Sequence, residues 1–250
     1  MSKNQKIVSK QMKLIDETTP FAIKESFNQL RTNLMYTAKN GTGCPIYGIT
    51  SAEASVGKST VVANLALSYS QIGKKVLLVD ADMRRPVQYK FFGYEKKQSG
   101  LSELLSGIIK NDTEVIRTPK ENFNVITSGV IPPNPAELIL SDKFEEFIEK
   151  WHSEYDIVFI DLPPVGVVSD SISISKLIDG YVFVAMANRS NAKRVNSSLA
   201  ALKQVDAKIV GLVLNGTSFK GETRGKYGYK YGYKYGYRYG YRYGYYSSND

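Results

Sequence analysis

The chain has 250 residues, 42% of them hydrophobic, and a formal charge of +9, which suits one α/β domain with appendages and a full core. A single cysteine, Cys44, excludes a disulfide framework and any cysteine-built metal or iron–sulfur site within one chain. From Phe219 onward seven basic residues stand against two acidic ones, so +5 lies in that stretch and +4 in all the rest; the core is not strongly basic, and no specific nucleic acid is expected as a partner.

The first residues, Met1 to Lys6, are polar and basic and lack the apolar segment of a signal peptide. The apolar runs further on are strand-sized and far too short to span a bilayer, so the sequence reads as cytoplasmic. Thr18-Thr19-Pro20 opens a helix whose apolar residues Ile23, Phe27, Leu30 and Leu34 fall at helical spacing. This arm, residues 1–40, precedes the first core strand, and its helix either packs on the core or, through Glu25 and Arg31, forms a subunit contact.

The domain proper, 41–218, begins with the stretch that organises it. Ile46 to Ser51 is a short apolar run. Ala52-Glu53-Ala54-Ser55-Val56-Gly57-Lys58-Ser59-Thr60 follows and then a helix with Val61, Val62, Leu65, Ala66 and Tyr69 on one face, stopped by Gly73. Strand, small-residue loop and helix in that order make a P-loop. Backbone N–H groups surround phosphate oxygens and the helix N-terminus adds partial positive charge. Lys58 would reach the β- and γ-phosphates and the Ser59 hydroxyl would bind Mg²⁺. Ala52 stands at the usual first glycine and Ser55 where a glycine is common, which leaves the loop slightly less permissive.

The strand Val76–Val79 runs into Asp80 and Asp82, two residues apart and so on one side of the strand end, where open α/β sheets bind ligands. Then come a helical stretch at Leu101–Ser106, a strand at Phe123–Ile126, a loop with Pro132, Pro133 and Pro135, and a helix at Ala136–Trp151. A further apolar strand, Ile157–Ile160, ends in Asp161, the position of the magnesium-side carboxylate of P-loop enzymes. A helix near Ser169–Leu177, a strand at Tyr181–Ala185, a helix at Ala192–Gln204 and a strand at Ile209–Leu214 complete the series. Apolar strands alternating with helices predict a doubly wound, mostly parallel sheet with helices on both faces. Trp151, His152 and Cys44 read as packing residues.

The last segment, 219–250, repeats Lys/Arg-Tyr-Gly-Tyr from Lys226 to Tyr245. A period of four with glycine in every unit fits neither strand nor helix packing, so a flexible peptide is expected. Its aromatics and cations could bind a polyanion. Alternatively its tyrosines are phosphoacceptors: each phosphotyrosine adds roughly −1.5 to −2 charge, so about three of them would cancel the charge of the segment.

Taken together these residues resemble the bacterial tyrosine kinases that control capsular and exopolysaccharide synthesis in Gram-positive bacteria. The resemblance rests on Gly57-Lys58-Ser59, Asp80-x-Asp82-x-Arg84 on its apolar strand, Asp161-x-Pro163-Pro164, Pro132-Pro133-Asn134-Pro135 and the terminal tyrosines, and it covers essentially the whole length. It implies ATP-dependent protein-tyrosine phosphorylation with Mg²⁺. Ser59, Asp82 and Asp161 would serve the metal, Asp80 would accept the tyrosine proton, and Arg84 and Asn215 would join the loop residues at the nucleotide, Asn215 at the adenine. The implied acceptors are Tyr227, Tyr229, Tyr231, Tyr233, Tyr235, Tyr237, Tyr239, Tyr241, Tyr243, Tyr245 and Tyr246. Implied partners are a membrane-anchored adaptor that recruits the kinase to the inner face of the membrane, other copies of the chain, and a cognate tyrosine phosphatase. The family's interface pattern Glu-x-x-Arg-x-x-Arg appears as Glu25, Asn28 and Arg31, with Asn28 in place of the first arginine. The rival of the same fold, a partitioning-type ATPase, carries a lysine five residues before the P-loop lysine, where this chain has Glu53, and lacks a tyrosine repeat.

Overall fold

The computed structural model describes residues 13–37 and 43–217; the tyrosine repeat expected to be flexible and the first part of the arm lie outside them. Seven strands form one sheet in the order β3-β4-β2-β5-β1-β6-β7. They are β1 (Ile46–Ser51), β2 (Val76–Asp80), β3 (Ile116–Lys120), β4 (Phe123–Ile126), β5 (Ile157–Asp161), β6 (Gly180–Met186) and β7 (Ile209–Asn215). Every pairing is parallel except β3 with β4.

The helices divide between the two faces. Along β2, Val76 and Leu78 point to one side and Leu77 and Val79 to the other, as the strand period of two requires. The first side is covered by α2 (Lys58–Ser70) and, outside it, α1 (Phe21–Thr37), with α3 (Gln88–Phe92) near the β4 end. The second is covered by α4 (Leu101–Ser106), α5 (Pro135–Ile139), α6 (Asp142–Glu154), α7 (Asp170–Ser173) and α8 (Ala192–Gln204). The central strands β1, β2 and β5 are buried at every position. Trp151 and Phe144 of α6 are fully buried against that second face, whereas His152, read as a packing residue, is exposed.

α2 is buried almost all round because α1 lies over it. Arg31 Nη1 donates to the Ser68 carbonyl at 2.6 Å. Asn64 donates to the Thr60 carbonyl at 2.9 Å and accepts the Ile15 N–H at 2.6 Å, fixing the start of the arm to the helix that carries the P-loop.

Three elements differ from expectation. The helix expected over Ala136–Trp151 is two helices, because the Ser141 hydroxyl bonds back to the Leu138 carbonyl at 2.7 Å and Ser141 takes an extended conformation that opens α6. The helix expected near Ser169–Leu177 shrinks to Asp170–Ser173; serines at 169, 171, 173 and 175 are weak helix formers and the chain continues in single turns. β3 was not expected at all. It contains Pro119, which an outermost antiparallel strand tolerates. The other edge strand, β7, is exposed on one face at Leu212 and Leu214 rather than buried on both.

Gly48, in the middle of β1, has no room for a side chain: a Cβ there would lie 2.7 Å from both Ile178 Cδ1 and Leu162 Cδ1. Gly48→Ala is expected to cost about 2 kcal/mol by overpacking, seen as a lower urea midpoint with unchanged m-value.

Candidate active site

The parallel register sets the site. Asp80 pairs laterally with Asp161, and Ile49 of β1 pairs with Asp161 on its other side. Two carboxylates thus stand side by side at the carboxyl edge, and the loop that leaves β1 passes directly above them. In that loop Ser55 holds φ 61 and Gly57 φ 86. Ser55 therefore adopts the left-handed conformation that a glycine would take without strain, at a cost of roughly 1–2 kcal/mol. Gly57 cannot be replaced so easily, since a Cβ would lie 2.1 Å from Asn215 Nδ2.

Neighbouring elements brace the loop. Asn215, at the end of β7, donates to the Val56 carbonyl at 3.0 Å. Arg189 donates to the Ser55 carbonyl at 3.1 Å. Glu53 pairs with Arg194 of α8 at 3.0 Å, and the Ser51 hydroxyl bonds the Glu53 carbonyl at 2.8 Å. Ala52 is buried.

Lys58 is buried and its ammonium contacts Asp161 Oδ1, lies 3.7 Å from Asp82 Oδ2 and donates to Ser59 Oγ at 3.3 Å. Burial alone would lower its pKa, but the charges of Asp161 and Asp82 outweigh that and hold it above the ordinary lysine value. Asp80 is completely buried; burial first, and then the charge of Asp161, push its pKa well above the carboxylate range, against the opposing Gln88 N–H. Its Oδ2 accepts from the backbone of Val87 and Gln88 at 3.2 and 3.0 Å, while Oδ1 has no partner. Asp82 is also raised by burial, with Lys58 pulling the other way.

A cleft of about 450 Å³ opens above this floor, lined by Glu53, Ala54, Ser55, Gly57 to Thr60, Asp82, Arg84, Arg85, Val87, Pro163, Pro164, Val167 and Val168. The structure therefore gathers Lys58, Ser59, Asp80, Asp82 and Asp161 and places the loop 52–60 along one wall. Arg84 lines the cleft, but its guanidinium is held by both oxygens of buried Asp170, at 2.8 and 3.0 Å. Asn215 lies behind the loop. Glu25 and Arg31 are on α1, away from the cleft lining. Two residues escaped the sequence reading: Asp170, which fixes Arg84, and Gln88, whose Nε2 donates to Asp161 Oδ2 at 2.7 Å and to the Ser59 carbonyl at 3.2 Å. An aspartate in a serine-rich stretch and a glutamine beyond a proline carry no spacing signal.

A family model described as ParA: NUBPL iron-transfer P-loop NTPase matches residues 45–245. The tyrosine-protein kinase YwqD of Bacillus subtilis is 34% identical over 220 residues, 88% of this chain and 91% of the relative. The chain belongs to the bacterial tyrosine-protein kinases. They share the P-loop nucleotide-binding fold of the broader ParA group, and solved structures agree. The kinase domain of the Escherichia coli tyrosine kinase ETK superposes with a TM-score of 0.74 at 35% identity, covering 82% of this chain and 80% of that one. The chimerical protein CapA2B2 gives 0.73 at 36% identity, covering 81% and 91%. Iron transfer, named in the family description, finds no ligand set among the described residues, where the one cysteine, Cys44, is buried and its thiol is pushed up to about 12 by that burial.

Because Asp80 is raised, folding takes up a proton there. Its contribution to stability is present at low pH and lost as pH rises through its raised pKa. Asp80→Asn keeps an acceptor for the Val87 and Gln88 amides and removes the buried charge. It should raise stability by about 1 kcal/mol at neutral pH, with the gain fading as pH falls and the wild-type carboxyl protonates, read from paired urea melts across pH.

Proposed function

We propose that this kinase transfers the γ-phosphoryl group of ATP to the tyrosines between Tyr227 and Tyr246, from one copy of the chain to its neighbour. We propose further that it thereby regulates the synthesis and export of a capsular or extracellular polysaccharide. The observation that carries the chemistry is the convergence of Lys58, Asp80, Asp82 and Asp161 beneath a cleft walled by the P-loop. The tyrosine repeat, which lies outside the described residues, supplies the acceptors by sequence alone.

Magnesium fits these residues. Among the described residues no cluster of three or more ligating side chains could hold a metal unaided. What the chain offers is a hydroxyl and carboxylates, the donor set for an ion that arrives with phosphates and keeps waters. Ser59 and Asp82 would hold it, with Asp161 acting through its waters. When bound, the ion neutralises charge on the β- and γ-phosphates.

The chain's own residues do the rest. Amides of the loop 52–60 receive the phosphates, and Lys58 turns from its carboxylates to the nucleotide. Arg84 flanks the phosphates, and Asn215 meets the adenine from the strand end behind the loop. Asp80 takes the acceptor's proton: its Oδ1 has a lone pair free, and a pKa raised above the ordinary carboxylate value makes it a stronger base. A free tyrosine hydroxyl, with pKa about 10, needs that orientation. Val87 and Gln88 hold the other oxygen of Asp80 through their backbone N–H groups, which fixes the carboxylate and leaves Oδ1 for the acceptor.

In this proposal the arm, 1–40, carries subunit contacts through Glu25 and Arg31, and a membrane-anchored adaptor activates the kinase at the inner membrane face. Among the described residues no helix is long and apolar enough to cross a membrane, so attachment to the bilayer would fall to that adaptor. A cognate tyrosine phosphatase would reset the acceptors.

Intact-mass measurement and phosphopeptide mapping after co-expression with a membrane adaptor should find several phosphates on Tyr227–Tyr246 and none in Lys58→Met. Asp80→Asn should still bind ATP and lose autophosphorylation by about 10²- to 10⁴-fold. Unchanged autophosphorylation in that variant would remove Asp80 as the base. Steady ATP hydrolysis without tyrosine phosphate in the wild type would favour an ATPase switch instead.

A further inference from the structure

Gln88 is the first residue of α3 and is fully buried. Its side-chain nitrogen reaches Asp161 Oδ2 and the Ser59 carbonyl, and its backbone nitrogen reaches Asp80 Oδ2. The orientation of the amide is fixed by chemistry, because a carboxylate and a carbonyl can only accept. Its Oε1 is buried without a partner.

We infer that Gln88 is a positioning residue that holds the Asp161 carboxylate in place when Lys58 leaves it for the nucleotide. The inference rests on the nucleotide-site reading above. Asp161 has two side-chain partners among the described residues: Lys58 on Oδ1 and Gln88 on Oδ2. Once Lys58 turns to phosphate, Gln88 alone keeps the carboxylate from rotating in a buried site. The same amide nitrogen bonds the carbonyl of Ser59, so the carboxylate and the hydroxyl-bearing residue of the metal side are tied to one group. The unpartnered Oε1 needs a donor, and the waters of a hydrated cation present donors only. Such supporting partners are worth about 10- to 100-fold in metal affinity or activity.

A merely structural Gln88 would have a different signature. It would stabilise the fold and leave the magnesium dependence alone. The discriminating measurement is the Mg²⁺ concentration at half-maximal binding of N-methylanthraniloyl-ADP to the full chain, alongside nucleotide binding in EDTA and thermal melting. Gln88→Met keeps the volume and removes both donors; it should raise the Mg²⁺ midpoint about tenfold or more and change binding in EDTA by much less. Gln88→His, whose Nε2–H reaches about as far as the amide nitrogen, should recover most of that loss. Should Gln88→Met fail to fold, Gln88→Leu also removes both donors without adding charge and should show the same raised midpoint. A lowered melting temperature with an unchanged Mg²⁺ midpoint in either variant overturns the inference. Lys58→Met runs in parallel: if it binds Mg²⁺ and the nucleotide as the wild type does, the nucleotide-site reading itself falls, whatever Gln88 does.

Discussion

One ammonium group faces three carboxylates in this molecule, and much of the active edge follows from that imbalance. The parallel register of β2 and β5 forces Asp80 and Asp161 side by side, Asp82 lies just beyond, and Lys58 descends from the loop above. Two like charges 4 Å apart repel by about 4 kcal/mol at an effective dielectric of 20, so one cation cannot settle three anions. The site meets this by sharing Lys58 between Asp161 and Asp82 and by raising the pKa of buried Asp80. In the proposed reaction a nucleotide phosphate would draw Lys58 away, and the carboxylates left behind would then call for a second cation. Nucleotide and divalent metal would thereby be coupled through charge before any contact between them is considered.

The loop that carries Lys58 is built to tolerate this traffic without moving. Its Ser55 is held in a left-handed conformation that a free peptide would avoid, and strain of that kind persists only where surroundings over-determine it. Here they do. β7 holds the loop through Asn215, the segment after β6 through Arg189, and α8 through the pair Arg194–Glu53. The carbonyl of Ser59 is held from α3 by Gln88. A backbone fixed by four separate elements can keep its amides aimed at one point while a lysine side chain swings beneath it.

The fold and the inner site were legible because their signals are local and periodic. The uniformly apolar strands announced a sheet covered on both faces, and the motifs fell at its carboxyl edge because each begins where a strand stops. What escaped was non-local or weakly patterned. Pro119 disguised β3, and the Ser141 hydroxyl split one expected helix into two. Asp170 matters only because Arg84 folds back onto it across 86 residues, and Gln88 only because α3 turns it beneath the P-loop. The sequence could name Lys58 and the three aspartates. It could not say that the lysine rests on carboxylates, since that depends on register and on what remains unneutralised.

Glu53 shows how one position can separate relatives on a shared fold. Where a partitioning ATPase has a lysine, this kinase has a carboxylate engaged within its own chain, by Arg194 and by the Asn191 backbone at 3.4 Å. On that flank a second cleft, of about 540 Å³, separates the loop from Lys193, Ser197 and Ser198 of α8. The cleft above the floor opens between Arg84, Arg85 and Val87 on one side and Pro163, Pro164, Val167 and Val168 on the other. Val167 is 65% exposed there, an apolar surface left open beside arginines and above carboxylates. An aromatic ring gains from the valine and proline wall by burial, and its hydroxyl would enter the cleft toward the Asp82 side of the floor. The shape of the opening thus suits a tyrosine side chain, in keeping with the tyrosine-protein kinases to which the chain belongs.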